Sequence, residues 1–228
     1  MPFHGLSARL QEIRERLDAA RERGGHGQSV RIVAVTKTHG PEAVEAAVAC
    51  GVDDVGENKV QEALGKMEAV TVPVRWHLIG HLQRNKAKAA TRFAMVHGVD
   101  SPRLADALAR AAGEAGCTLD VLVQVNVAEE ASKSGVAMHE VPALADHLVA
   151  LPSLRVRGAM TMAPYEAPEA ELRRCFAGAR AARATLQAAG HVHADELSMG
   201  MSGDYEVAVE EGATLVRLGT ILFGARGE

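Results

Sequence analysis

Ile32-Val33-Ala34-Val35, followed at once by Thr36-Lys37-Thr38-His39, is the stretch from which the architecture can be read. Four consecutive apolar residues leave no polar face, as expected of a short strand covered on both sides by helices. Similar apolar pulses recur at residues 52–55, 74–79, 94–96, 119–127, 154–160, 194–197 and 214–218, making eight in all. The segments between them are Ala-rich and charged with helical spacing, as in 41–49, 102–115, 140–148 and 167–189. Strands alternating with helices imply a parallel sheet, because parallel neighbours need crossovers and right-handed crossovers carry the helices outside. Eight units in 228 residues allow about 28 residues each, enough for a strand, a helix and two short loops. The expected fold is α/β, a single (β/α)8 TIM barrel over residues 1–228. An open doubly wound sheet is the alternative, since the pulses at 52–55 and 94–96 are weak.

Upstream of the first strand, Leu6, Leu10, Ile13 and Leu17 share one helix face, and Gly24-Gly25 supplies a stop. Residues 1–25 are therefore expected to form an additional N-terminal helix packed on the barrel. The start is too charged after Leu6 for a signal peptide, and nowhere do about 18 apolar residues run together. Apolar residues at 47% and charged residues at 24% exclude a disordered, collagen-like or membrane-spanning chain. A net charge of −4 gives no electrostatic footprint for nucleic acid, and one Trp, two Tyr and four Phe leave few stacking platforms. Cys50, Cys117 and Cys175 are odd in number, far apart and form no C-x-x-C, which suits a reducing cytoplasm. The expectation is a cytoplasmic monomer with neither nucleic acid nor membrane as partner.

In a β/α barrel, chemistry gathers at the carboxyl ends of the strands. The residues that follow the pulses are Thr36-Lys37-Thr38-His39, Gly56-Glu57-Asn58, Gly80-His81, Asn126, Thr161-Met162, the run from Ser198 to Gly203, and Arg217-Leu218-Gly219-Thr220. Two of these are glycine-bearing loops, and they follow strands seven and eight, where barrels often hold a phosphate on backbone N–H groups. Gly200, Gly203 and Gly219 would let the backbone approach an anion, and Ser202 and Thr220 would add hydroxyl donors. Lys37, facing such loops, could condense with an aldehyde, and partial desolvation would favour its nucleophilic free base. A phosphorylated aldehyde held by a lysine describes pyridoxal 5′-phosphate.

Beside that reading, several segments resemble a known family. They are Val33-Ala34-Val35-Thr36-Lys37, Gly56-Glu57-Asn58-Lys59-Val60-Gln61-Glu62, the run from Trp76 to Lys86, Ser132-Lys133-Ser134-Gly135, the run from Leu197 to Asp204, and Val216-Arg217-Leu218-Gly219-Thr220 with Phe223-Gly224. In this order they resemble the pyridoxal phosphate homeostasis proteins, which look like the isolated barrel domain of alanine racemase. The resemblance implies that Lys37 carries the cofactor as an aldimine and that Asn58 lines its face. It also implies that Ser202, Gly219 and Thr220 hold the phosphate, with Arg217 at the pyridine nitrogen. Met199, Met201 and His81 would line the pocket. A permanently charged guanidinium at that nitrogen keeps it unprotonated, which restrains carbanion chemistry. Nothing follows Glu228 to build the racemase's second domain, and neither Tyr165 nor Tyr205 stands where the resemblance would put its opposite-face base. The implied role is storage, delivery or buffering of the cofactor with little or no turnover, with pyridoxal-dependent apo-enzymes as partners.

Three other readings are weighed against it. A racemase or another slow pyridoxal enzyme would use the same lysine. A metal-dependent hydrolase is suggested by His191-Val192-His193 and by His77 with His81, although no carboxylate cluster completes a ligand set. Arg84, Lys86, Lys88 and Arg92 form a basic segment, three of whose members would share one helix face toward an acidic partner. Lys133 would touch a second anion or stand on an exposed loop.

Overall fold

Eight strands pair in chain order, all parallel, and the last closes on the first: β1 (Arg31–Val35), β2 (Asp54–Glu57), β3 (Arg75–Leu78), β4 (Met95–Val99), β5 (Leu119–Gln124), β6 (Leu154–Met160), β7 (Glu196–Ser198) and β8 (Leu215–Leu218). The seam runs from Arg31 opposite Leu215 to Ala34 opposite Leu218, so the sheet is a barrel and not an open doubly wound sheet. The computed structural model describes residues 3–128 and 134–224, and Lys133 lies outside them. Around the barrel run α2 (Pro41–Ala49), α3 (Val60–Ala69), α4 (Ala87–Ala90), α5 (Pro102–Glu114), α6 (Val141–Val149), α7 (Glu169–Ala188), α8 (Tyr205–Glu210) and α9 (Thr220–Phe223). An additional helix, α1 (Leu6–Gly24), precedes β1. None of the described helices is long and apolar enough to cross a membrane.

Period-two alternation divides each strand between two apolar layers. Val33, Met95, Leu122, Met160 and Leu215 pack together inside the barrel, while their neighbours Ala34, Val96, Val121, Ala159 and Val216 join the layer beneath the helices. Strands β2 and β4 run later than their apolar pulses, because Gly56-Glu57 and His97-Gly98 belong to the ladder. Glu57 and His97 are fully buried; Glu57 Oε1 accepts from Lys66, and His97 Nδ1 lies 2.9 Å from Ser198 Oγ. A polar residue ends an apolar pulse, but it does not end a strand when the fold supplies it a partner.

The amino-terminal end of the barrel is closed by charge. Asp54 accepts two 2.7 Å hydrogen bonds from Arg75 and one of 2.8 Å from His77, with Arg31 at 3.6 Å. Burial alone would raise the Asp54 carboxyl, but the hydrogen bonds from Arg75 and His77 outweigh it and hold the group well below the ordinary carboxylate range.

Helix α1 buries Leu6, Leu10, Ile13, Leu17 and Ala20 against the barrel's helical shell. Arg16 and Arg23 pair with Glu206 and Glu210 of α8, and Arg9 donates to the carbonyl of Leu222 in α9. Exposed pairs of this kind contribute little each, so the apolar stripe holds the helix and the charges set its register. Gly24 is the point of closest approach, where an added Cβ would stand 2.4 Å from the carbonyl oxygen of Glu210.

Two outcomes follow from this packing. Gly24→Ala has to push α1 off the α8 backbone, so urea unfolding should show a loss of about 1–3 kcal/mol. The unfolded chain binds a proton at Asp54 that the folded chain refuses, so stability should fall as pH drops below about 4. Unfolding midpoints measured between about pH 6 and pH 3 should decline less steeply in Asp54→Asn than in the parent.

Candidate cofactor site

At the carboxyl end of the strands lies a cavity of about 630 Å³, and Lys37, Asn58, Ser202, Arg217, Gly219 and Thr220 all line it. Six of the seven positions singled out for cofactor contact thus converge on one space. Met199 does not. It is fully buried in the layer beneath the helices, because Ser198 faces the lumen and the next side chain must face the other way. Met201, two residues on, returns to the cavity, as do Met162 and Val35.

The turn that carries Lys37 is clamped from outside the barrel. The Thr36 hydroxyl donates to Glu57 Oε1 at 2.5 Å, and Lys66 Nζ donates to the Thr36 carbonyl at 2.7 Å and to Glu57 Oε1 at 2.6 Å. Lys66 also reaches Glu62 at 2.9 Å, and Glu62 accepts the Thr38 N–H at 2.7 Å. Thr38 sits at φ 70°, a left-handed conformation that is strained for a non-glycine residue. Residues 36 and 38 are therefore gripped on either side of Lys37. Burial pushes the Glu57 carboxyl up, against the opposing pull of its hydrogen bonds from Lys66 and Thr36. Glu62 is more exposed, and its bonds from Lys66 and Thr38 outweigh burial and hold it low.

Beside the strand that leads to Lys37, the loops after β7 and β8 are laced together. Asp204 Oδ1 accepts the Met201 N–H at 2.6 Å, and Ser202 Oγ accepts the N–H of Ile221 at 3.4 Å. Among the described residues, the N–H groups of Gly203 and Thr220 have no protein acceptor. Unclaimed donors beside small side chains are what a bound phosphate requires. Asn58 is fixed by Gly80, whose absent side chain would stand 2.3 Å from the Asn58 carbonyl oxygen.

Arg217 forms the cavity floor. It is 4% exposed, and it donates to Ser198 Oγ at 2.7 Å and to the Thr161 carbonyl at 2.9 Å. Burial lowers its pKa to about 10, with the Asp204 charge acting in the opposite direction, so the guanidinium is charged at neutral pH. Gln124 lines the wall and donates to the Ser134 carbonyl at 2.9 Å. Sequence reading gave Gln124 and Asp204 no role in this assembly and named Ser198 only as the first residue after the seventh pulse. Ser198 and Gln124 lie inside apolar strands, where only the inward parity of their positions marks them.

The other candidate residues are dispersed. His81 stands at the cavity rim, 3.6 Å from Asp100, whereas His77 points into the lumen toward Asp54. His191 binds the Ala145 carbonyl of α6. No group of three or more metal-ligating side chains occurs among the described residues. The expected helix face of Arg84, Lys88 and Arg92 does not form. Residues 84–86 make a 3₁₀ turn, α4 ends at Ala90, and Arg92 lies beyond it, so three-residue and four-residue turns break the spacing. Tyr165 lines the cavity mouth at 89% exposure, while Tyr205 is buried.

The alanine racemase N-terminal domain family matches residues 8–227. A pyridoxal phosphate homeostasis protein of Aquifex aeolicus is 41% identical over 222 residues, covering 96% of this chain and 97% of its own. One from Pseudomonas aeruginosa is 43% identical over 223 residues, covering 97% and 93%. The solved structure of PipY from Synechococcus elongatus with PLP bound matches with a TM-score of 0.85 at 38% identity, over 96% of this chain and 100% of that one. With a cavity built on the same barrel and relatives of this identity along nearly its full length, the chain belongs to the pyridoxal phosphate homeostasis protein family.

Proposed function

We propose that this chain binds pyridoxal 5′-phosphate in the cavity at the carboxyl end of the barrel and acts in intracellular homeostasis of that cofactor. The observation that carries the reading is a lysine, a pair of unclaimed backbone donors and a buried guanidinium lining one cavity. When bound, the cofactor supplies an aldehyde that takes a primary amine and a ring that can accept electrons. Lys37 is the amine, presented by the Thr36–Glu57–Lys66 clamp at a fixed angle. Ser202, Gly219 and Thr220, with the Gly203 N–H, hold the phosphate, and Asn58 bounds one face of the ring. Arg217 has hydrogens to donate and none to accept, so it keeps the ring nitrogen unprotonated and weakens the ring as an electron sink.

Storage, delivery or buffering follows from that restraint, with pyridoxal-dependent apo-enzymes as recipients, a cytoplasmic location and a monomeric state as parts of the same reading. A slow racemase is the second reading, and Tyr165 at the cavity mouth is the observation in its favour. A hydrogen bond to Glu166 and that residue's charge push its phenol above the usual range, which keeps it protonated and leaves little phenolate to take a proton. Turnover above about 1 s⁻¹, followed as α-proton exchange on L- and D-amino acids, would favour the racemase.

Borohydride reduction of the loaded chain should fix one pyridoxyl phosphate group on Lys37, seen by peptide mass spectrometry, and Lys37→Ala should bind without fixation. Fixation at another lysine overturns the assignment. Glu57→Ala leaves the Lys66 ammonium short of its buried partner, so denaturant unfolding should show a loss of about 3–5 kcal/mol. At temperatures where that variant stays folded, its cofactor uptake should be weaker, because Thr36 no longer fixes the neighbouring amine.

A further inference from the structure

A single file of hydrogen bonds runs through the barrel lumen from the cavity floor to the amino-terminal face. Arg217 donates to Ser198 Oγ at 2.7 Å, Ser198 Oγ lies 2.9 Å from His97 Nδ1, and His97 Nε2 lies 2.9 Å from His77 Nδ1. His77 Nε2 lies 2.8 Å from Asp54 Oδ1. Arg217 and Asp54 are each at most 4% exposed, His77 is 2% exposed, and His97 and Ser198 are fully buried. None of these intermediate residues touches the cavity, and cofactor binding alone does not require them.

The two ends settle the direction of every link. A guanidinium only donates and a carboxylate only accepts. His77 must therefore carry its hydrogen on Nε2 toward Asp54, which leaves Nδ1 as an acceptor. His97 then carries its hydrogen on Nε2 toward His77, which leaves its own Nδ1 to accept the hydroxyl hydrogen of Ser198. The Ser198 oxygen is then free to accept from Arg217. A second proton on either imidazole would turn His97 Nδ1 into a donor and leave the Ser198 hydroxyl hydrogen without an acceptor in the file. The groups facing the two histidines agree with this. Asp54 is already shared with Arg75 and Arg31, and Arg217 stands at the other end with Asp204 behind it. Burial above all, with the Arg217 charge adding to it, holds His97 well below its ordinary value.

We propose that Arg217, Ser198, His97, His77 and Asp54 act as one polarised unit that fixes the guanidinium at the cavity floor, with His97 as the positioning residue on which its direction depends. Each link strengthens the next, so the negative end at Asp54 makes Ser198 Oγ a better acceptor for Arg217. The part of this proposal that concerns the cofactor rests on the function proposed above; the direction of the file does not.

Two measurements test it. In full-length chain labelled with ¹⁵N-histidine and freed of aldehyde by hydroxylamine, long-range ¹H–¹⁵N correlation should show His77 and His97 as Nε2–H tautomers. His97 should not titrate between about pH 5.5 and 8.5, the span in which an ordinary histidine changes charge. An Nδ1–H tautomer at either residue, or a titrating signal at His97, overturns the file. In the second measurement, chain is loaded with pyridoxal phosphate. His97→Leu should weaken uptake about tenfold, the loss expected for one hydrogen bond to a charged group. It should also shift the pH midpoint of the visible band, while His97→Gln, which keeps one donor and one acceptor, should restore both. If His97→Leu does not fold, Ser198→Ala takes its place. Uptake and midpoint unchanged in the disruptive variant, or no rescue by glutamine, overturn the positioning role. Failure of the parent chain to take up pyridoxal phosphate overturns the cofactor reading and leaves the first measurement to decide the file.

Discussion

A guanidinium that is 4% exposed inside a closed sheet has to find its hydrogen-bond acceptors within the barrel. Eight strands leave a lumen only wide enough for side chains, so acceptors can come only from inward-facing positions. Strands β6 and β7 supply the Thr161 carbonyl and Ser198 Oγ. The inward parity that places Ser198 beside Arg217 also sends Met199 outward; Gly200, at φ 92°, then breaks the alternation and Met201 lines the mouth. The floor of the cavity, the polar residues of the lumen and the opposite facing of Ser198 and Met199 all meet the needs of one buried charge.

The eight-strand alternation was legible because helix-covered strands are apolar on both faces and separate cleanly from charged helices. Strand ends were less so. Glu57 and His97 lie within strands that an apolar criterion cuts short, since their burial depends on Lys66 and Ser198, which come from elsewhere in the chain. The wall residues of the cavity were legible where they follow a pulse, as Lys37, Asn58 and Thr220 do. Gln124 was not, because a polar residue within a strand declares its direction only when the register is known. The basic segment failed for a local reason: a four-residue spacing has meaning only in an uninterrupted α-helix, and a 3₁₀ turn occupies residues 84–86.

The site is assembled from two kinds of support. Lys37 is held by groups on the outer surface of the barrel, where α3 brings Glu62 and Lys66 over Glu57 of β2. Arg217 is held by groups inside it. Helix α1 belongs to neither set, yet Arg9 grips the Leu222 carbonyl just beyond Thr220, so the phosphate side of the cavity leans on the helix that opens the chain.

The outer clamp also gives two amines opposite fates. Lys66 is 5% exposed and spends its hydrogens on three oxygens, from Thr36, Glu57 and Glu62. Lys37 opens onto the cavity beside it. Of these two amines, an electrophile diffusing into the barrel mouth meets Lys37, while Lys66 is masked by its own salt links. Chemical selectivity between the two comes from architecture, with no difference in the side chain itself.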